Sequence, residues 1–192
     1  MKVPGHIITT ASFSDDTTGP DGRGAYRFSL WRKNLLADDP GAYAEFFDQY
    51  VQFIGLNPST ADERIDDPTV RQCWRRVRRM GYGAFVMTNL FAFRATEPAD
   101  MKRAAEPVGE WNDEWLHSIA AGAHKIVLAW GAHGKHRGRN VEVLKLLEQF
   151  RAKMLFFRFT EEGNHPRHPL YQPAELELKP VAPLWEKFLQ AA

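Results

Sequence analysis

The sequence predicts an α/β fold: a three-layer sandwich around a central four-stranded, mostly parallel sheet, with an N-terminal antiparallel strand pair. Two observations favour this class. Four short apolar runs along the chain have the length and composition of buried strands. Segments with helical spacing of apolar residues separate the runs, as in successive strand-helix-strand units. Since 192 residues suit one hydrophobic core, we treat residues 1–192 as a single domain.

Composition and charge narrow the class of protein. Hydrophobic residues make up 44% of the chain and charged residues 26%, as in ordinary globular domains. No apolar run is long enough to cross a bilayer and residues 1–20 contain no apolar signal core, so we expect a cytoplasmic protein without a membrane partner. The single cysteine, Cys73, excludes an internal disulfide and a multi-cysteine metal site. A net charge of +1 gives no overall attraction to nucleic acid.

The first elements lead to a polar loop. Apolar and β-branched residues predict an antiparallel pair of strands at residues 6–13 and 25–32. Residues 51–56 form the first buried strand, which is closed by Gly55 and Pro58. The loop after this strand carries the polar residues Asn57, Ser59, Thr60, Asp62, Asp66 and Asp67.

A basic helix is predicted next, at about residues 68–80. Asp67 followed by Pro68 is a typical helix start, and Gly81 is a typical stop. One face is apolar, with Trp74 and Val77 expected to be buried. The other carries Arg71, Arg75, Arg78 and Arg79, with Arg76 nearby, and we expect Arg75 and Arg79 to be exposed. We interpret this stripe as a solvated helix face, and phosphate contact beside the Asn57 loop is the alternative.

Three more strands are predicted at residues 84–90, 125–130 and 154–159, with helices at about 111–121 and 140–150 and a short amphipathic helix in the tail. Trp111, Trp115 and Ile119 share the apolar face of the first of these helices, and the strand residues Val127, Leu128 and Phe156 are expected to be buried. Each strand runs into a loop with polar or aromatic side chains. These residues include Asn89, Phe91 and Arg94, then Trp130, Gly131 and His133, and finally His165 to Tyr171. Because parallel strands present their carboxyl ends at one edge, the loops are expected to converge in one cleft.

Five motifs in these loops occur in a recognisable order. They are Gly-Leu-Asn-Pro-Ser-Thr-Ala-Asp (55–62), Asp-Asp-Pro-Thr (66–69), Thr-Asn-Leu-Phe-Ala-Phe-Arg-Ala-Thr (88–96), Trp-Gly-Ala-His-Gly (130–134) and Pro-Arg-His-Pro-Leu-Tyr (166–171). Over roughly residues 26–171 the chain resembles an uncharacterised bacterial and phage family known only as a domain of unknown function. That family name implies no activity.

More distantly, the order of motifs is similar to that of the uracil-DNA glycosylase superfamily, whose fold is a four-stranded parallel sheet in three layers. The Gly-x-Asn-Pro loop of its mismatch-specific branch matches Gly55, Asn57 and Pro58. Its base-reading asparagine matches Asn89. Its final His-Pro loop matches His168-Pro169, and less well His165-Pro166.

This resemblance implies recognition of a nucleobase, in a nucleotide or as a single-stranded or flipped DNA base, with cleavage of its N-glycosidic bond as the reaction. Asn57 would position water, Asp62, Asp66 or Asp67 would substitute as the base, and His168 would donate to the departing base. The expected substrate contacts are Gly55, Pro58, Ser59, Thr60, Asn89, Phe91, Arg94, Trp130, Gly131, His133, Arg167 and Tyr171. Among these, Asn89 would read the base edge and Phe91 would stack on the ring.

The sequence also departs from the superfamily. No aspartate occupies the water-activating position of the most active branch, and Pro-Arg-His-Pro replaces His-Pro-Ser-Pro. Asp67 is equally well explained as a helix cap.

Two alternative functions stay open. A non-catalytic module for a nucleotide or modified base would keep Asn89, the aromatic residues and Arg94, and would bind without turnover. A metal-dependent hydrolase would use His133-x-x-His136 and His165-x-x-His168 with nearby carboxylates. Since the chain has no cysteine cluster and no His-Glu-x-x-His helix, we expect neither a metal nor another cofactor.

Overall fold

A computed structural model describes residues 7–34, 49–59, 64–161, 163–173 and 175–190, without the side chain of Tyr171. In this part of the chain the strands are β1 (Ile7–Phe13), β2 (Arg27–Asn34), β3 (Tyr50–Gly55), β4 (Ala84–Asn89), β5 (Lys125–Leu128), β6 (Met154–Phe156) and β7 (Lys179–Pro180). The α-helices are α1 (Pro68–Arg79), α2 (Pro98–Arg103), α3 (Asn112–Gly122), α4 (Arg139–Leu146) and α5 (Trp185–Leu189). Short 3₁₀ segments span Ala132–Gly138, Glu148–Lys153, Pro169–Tyr171 and Ala182–Leu184.

The strands form one mixed sheet in the order β1-β2-β4-β3-β5-β6-β7. The four central strands β4, β3, β5 and β6 are parallel to one another, which confirms the predicted centre. The N-terminal pair is antiparallel as predicted, and it extends this same sheet because β2 pairs with β4 in the antiparallel sense. At the other edge β7, which the sequence did not predict, pairs with β6.

Helices pack on both faces of the sheet. Along β3 the side chains alternate between the faces, so Phe53 and Ile54 belong to different hydrophobic clusters. The cluster containing Phe53 includes Val70, Cys73 and Val77 of α1. The cluster containing Ile54 includes apolar residues of α3, α4 and α5. All residues of β4 are buried, as expected for a strand covered on both sides.

The predicted burial is largely confirmed. Val77, Val127, Leu128 and Phe156 are buried, and Arg75 and Arg79 are exposed. Trp74 is only half-buried, with its ring against Phe85 at 5.5 Å between centroids. Helix α1 begins where predicted, and the carboxylate of its N-cap Asp67 accepts a hydrogen bond from the Val70 N–H at 2.8 Å.

Arg76 does not belong to the exposed basic face predicted for α1. This residue shares a face with Cys73 and is buried, with 3% of its surface exposed. Its guanidinium donates to the carbonyl oxygens of Gln172 and Pro173, each at 2.8 Å, and lies 4.2 Å from the centre of the Phe157 ring. Arg76 therefore joins α1 to the chain after β6, whereas Arg75, Arg78 and Arg79 form the exposed face.

Two predicted helices differ from the structure. Trp111, expected on the packed face of the helix at residues 111–121, is 51% exposed because it occupies the N-cap position before α3. The buried face of α3 is instead formed by Asn112, Leu116, Ile119 and Ala120. The helix predicted at residues 140–150 is split, because the backbone at Leu147 leaves the helical region and a 3₁₀ segment follows.

A buried ion pair connects β2 to the segment that leads into α1. Arg32 donates to one carboxylate oxygen of Asp66 through Nε at 2.9 Å and through Nη2 at 2.7 Å. The side chain of Arg32 is 2% exposed and that of Asp66 is 13% exposed, so solvent screens the pair weakly. This contact fixes the position of the chain just before α1.

We predict that Asp66→Ala lowers the free energy of unfolding by about 3 kcal/mol, because it removes the Asp66 carboxylate from the buried Arg32 guanidinium. The control is Asp100→Ala, which removes the partner of the exposed Arg103 and should change stability by less than about 0.5 kcal/mol. Urea denaturation measures both values. Equal effects of the two substitutions would contradict the assignment of Asp66 as a buried anchor.

Candidate functional site

A cavity of about 890 Å³ lies at the carboxyl ends of the four parallel strands. The prediction that Asn57, Asn89 and His168 line one cleft is confirmed. Six other residues predicted as contacts also line it, namely Gly55, Ser59, Trp130, Gly131, His133 and Arg167. The N-terminal turns of α1 and α2 complete the wall, so loops from all four parallel strands meet there.

The inner wall is formed where β3 and β4 end. Gly55 and Asn89 are register partners across these strands, and Asn89 is only 4% exposed. A Cβ atom at position 55 would lie 2.8 Å from the Asn89 Oδ1 atom, so the glycine gives the amide its space. The Asn112 side chain donates to the Asn89 carbonyl oxygen at 3.1 Å. The Asn89 Nδ2 atom is buried and has no hydrogen-bond partner among the described residues.

Asn57 fixes the loop between β3 and α1. Its Nδ2 atom donates to the carbonyl oxygen of Ala95 at 2.7 Å and to that of Pro58 at 3.1 Å. The Ala95 N–H in turn donates to the Pro58 carbonyl at 3.0 Å. The two loops that follow β3 and β4 are therefore joined side by side, and the Asn57 oxygen is the polar atom of that amide not used in these bonds.

His168, in the loop after β6, also lines the cavity, and its lowered pKa favours the neutral imidazole. Burial lowers its pKa below the ordinary histidine value, and the negative charge of Asp67 partly opposes this effect. Its Nδ1 atom accepts a hydrogen bond from the Leu170 N–H at 3.4 Å. We therefore assign the proton of the neutral ring to Nε2, which makes this nitrogen a donor.

The three aspartates considered as a base are separated by the structure. Asp62 lies outside the described residues, as does Thr60. Asp66 is held by Arg32 and does not line the cavity. Asp67 does line it, while its Oδ1 atom caps α1. Asp67 is therefore the one of the two described aspartates that lines the cavity.

Two predicted substrate contacts belong to the protein interior instead. Phe91 is fully buried in a core cluster, with its ring 5.7 Å from that of His136, so it presents no face to the cavity. Arg94 is 7% exposed and donates to both carboxylate oxygens of Asp21, at 2.7 and 2.8 Å. This pairing holds the pKa of Asp21 far below its usual range and ties the N-terminal loop to the chain after β4.

Pro58 does not line the cavity either, although its carbonyl oxygen accepts the hydrogen bond that joins the two loops. The side chain of Tyr171, another predicted contact, lies outside the part of the protein that the structure describes. The sequence interpretation also missed Arg27 and Gln172, which line the cavity and are 4% and 3% exposed. Because β2 is antiparallel to β4, the first residue of β2 lies at the carboxyl edge of the parallel strands. The predicted antiparallel pairing was thus the signal that could have placed Arg27.

The histidine pairs considered for a metal site diverge. His133 contacts Lys102, His136 packs on Phe91, and the ring of the buried His165 does not line the cavity. Within the described ranges, no group of three or more histidine, cysteine, aspartate or glutamate side chains could hold a metal ion. None of the helices that the structure describes is both long and apolar enough to span a membrane.

The family that covers this site is described as "Protein of unknown function (DUF1643)", and its model matches residues 27–170. The chain belongs to this family. The match contains every cavity-lining residue except Gln172. No curated protein and no solved structure matches the chain.

We predict that Asp67→Asn lowers the pKa of His168 further, because it removes the negative charge that favours the imidazolium. Asparagine also caps helices well, so the fold should be retained. The control is Glu114→Gln on the exposed side of α3, which should leave the titration unchanged. NMR titration of the His168 ring measures the shift. A pKa that rises or stays constant in Asp67→Asn would contradict this electrostatic coupling.

Proposed function

We propose that this protein binds a nucleobase in the cavity at the carboxyl edge of the sheet and hydrolyses the N-glycosidic bond of that base. The proposal rests mainly on the environment of the Asn89 side chain. Its carboxamide is buried at the cavity wall and packs against Gly55, and its Nδ2 donor has no hydrogen-bond partner in the part of the protein that the structure describes. A carboxamide offers one donor group and one acceptor in a plane, which matches the edge of a nucleobase.

The resemblance to the uracil-DNA glycosylase superfamily supports the same proposal. In that superfamily a Gly-x-Asn-Pro loop, an asparagine at a strand end and a His-Pro loop act together. The corresponding residues here, Asn57, Asn89 and His168, line a single cavity although more than 100 residues of sequence separate the first from the last. The layered arrangement of helices on both faces of a sheet with four parallel strands is consistent with that fold.

In the proposed reaction the bond between the sugar and the base breaks with its electron pair on the base, and water adds to the sugar carbon. His168 would donate from Nε2 to an oxygen of the departing base, where negative charge develops. Asn57 would accept a hydrogen bond from the water through its amide oxygen. Asp67 would take the proton that the water loses, because it is the described aspartate in this cavity.

A second candidate is a binding module without turnover, and one observation favours it. The Asp67 carboxylate already accepts the capping hydrogen bond of α1, and Asp66 is neutralised by Arg32. A carboxylate oxygen that already accepts a capping hydrogen bond is less available to bind and orient a water molecule. Assays of binding and of base release on the same samples separate the two candidates.

We predict that Asn89→Ala weakens nucleobase binding by about tenfold, the value of one lost hydrogen bond. Asn89→Asp should change which base is preferred, because it replaces the amide donor with an acceptor. The matched control is Asn140→Ala, a buried asparagine of α4 that does not line the cavity. Calorimetric titration with a panel of nucleosides, nucleotides and single-stranded oligonucleotides measures these changes. If the wild type binds nothing in the panel, the proposal is wrong.

We predict that His168→Ala lowers kcat by about 100-fold with a smaller change in Kd, because the histidine acts on charge that develops in the transition state. The assay measures released base by chromatography. Binding without release in the wild type would instead establish the non-catalytic module. If release is observed and His168→Ala leaves it unchanged, the role assigned to His168 is wrong.

A further inference from the structure

Two lysines and a histidine, the rim cluster, lie beside the cavity, where α2 meets the Ala132–Gly138 segment. The Lys102 Nζ atom is 3.2 Å from the Nδ1 atom of His133, and His133 itself lines the cavity. Lys135 is exposed two residues after His133 on the same segment. Burial lowers the pKa of His133, and the positive charges of Lys102 and Lys135 lower it further. The three side chains therefore lie at one junction between α2 and this segment.

Among the described residues, no carboxylate forms an ion pair with Lys102 or Lys135, whereas the neighbouring Arg103 is paired with Asp100. Glu97 lines the same cavity at the other end of α2, but it has no ion pair with either lysine. Because like charges placed together repel, an anion bound between them would be stabilised.

Arg137 connects the two elements of this cluster and adopts an unfavourable backbone conformation. Arg137 adopts a positive φ of 55°, which is unfavourable for a residue with a side chain. In this conformation its guanidinium donates to the carbonyl oxygens of Ala104 and Ala105, at 3.2 and 3.0 Å. Arg137 thereby joins the segment that carries Lys135 to the end of the helix that carries Lys102.

The basic stripe of α1, the phosphate site considered from the sequence, is a weaker candidate. Arg71 donates to the Asp66 carbonyl oxygen at 2.8 Å, and Arg79 is paired with Glu175. None of the arginines of α1 lines the cavity. The rim cluster differs because its histidine is part of the cavity wall and because no carboxylate of the described residues forms an ion pair with its lysines.

We propose that Lys102, His133 and Lys135 form a phosphate-binding subsite that holds a phosphate attached to the sugar of the bound base. The identity of this phosphate rests on the proposed function, but the anion site itself does not. A phosphate of a free nucleotide and one in a nucleic acid backbone share this chemistry. The ligand is thus a phosphorylated nucleoside unit rather than a free base or an unphosphorylated nucleoside.

The test compares two double variants with the wild type. Lys102→Gln with Lys135→Gln removes the rim charges, and Lys125→Gln with Lys145→Gln removes two charges elsewhere, at the start of β5 and in the last turn of α4. Calorimetry is run with inorganic phosphate, the four deoxynucleosides, their 5′-monophosphates and a mixed-sequence single-stranded octanucleotide. Thermal melting verifies that both variants are folded.

The expected result is that the rim variant loses phosphate binding by tenfold or more and that the control variant keeps it, because charge-assisted bonds to phosphate are the strong ones. Monophosphates should bind more tightly than nucleosides only when the rim lysines are present. If the octanucleotide is the relevant ligand, the slope of log affinity against log salt should fall by about 0.7 for each lysine removed. A change confined to the monophosphates would assign the site to free nucleotides.

Two outcomes separate this inference from the proposed function. Equal phosphate affinity in the wild type and the rim variant overturns the subsite, whatever the nucleosides do. Phosphate binding that depends on the rim lysines, with no nucleoside, monophosphate or octanucleotide preferred over inorganic phosphate, supports the anion site and overturns the nucleobase proposal.

Discussion

The site depends on the contact between Gly55 and Asn89 at the ends of two adjacent parallel strands. These residues are register partners, and the asparagine side chain occupies the space that any Cβ atom at position 55 would need. The pairing continues beyond the strands. The N–H groups of Leu90 and Phe91 donate to the carbonyl oxygens of Gly55 and Leu56, each at 3.0 Å. Backbone hydrogen bonds therefore hold the inner wall of the cavity. They fix the position of Asn89, whose side-chain amide is in place before any ligand binds.

Buried arginines hold the surrounding loops against this wall. Arg32 reaches from β2 to the segment before α1, and Arg94 reaches from the chain after β4 to the N-terminal loop. Arg139, at the start of α4, donates to the Leu90 carbonyl oxygen at 2.9 Å and pairs with Asp113. A buried ion pair adds little net stability, but removing one partner is costly because the other charge stays buried. These arginines thus specify which loops meet at the cavity more than they stabilise the fold.

The sequence predicted the central strands and the meeting of Asn57, Asn89 and His168, because short apolar runs and the parallel-sheet rule depend on local pattern alone. It could not assign Phe91 and Arg94 correctly, since their surroundings are set by residues distant in the chain. Arg94 faces Asp21 of the N-terminal loop, and Phe91 faces the 3₁₀ segment after β5. The two-residue strand β7 carries too short a pattern to detect, and it exists only because β6 offers an edge.

The most direct test of the account is a crystal structure of the protein with a deoxynucleoside 5′-monophosphate bound. If the nucleobase binds as proposed, we expect an edge of the base about 3 Å from the Asn89 carboxamide, within hydrogen-bond distance. We also expect His168 to face an oxygen of the base. A nucleotide bound elsewhere on the surface, with the cavity beside Gly55 and Asn89 filled only by water at saturating ligand, would contradict the account.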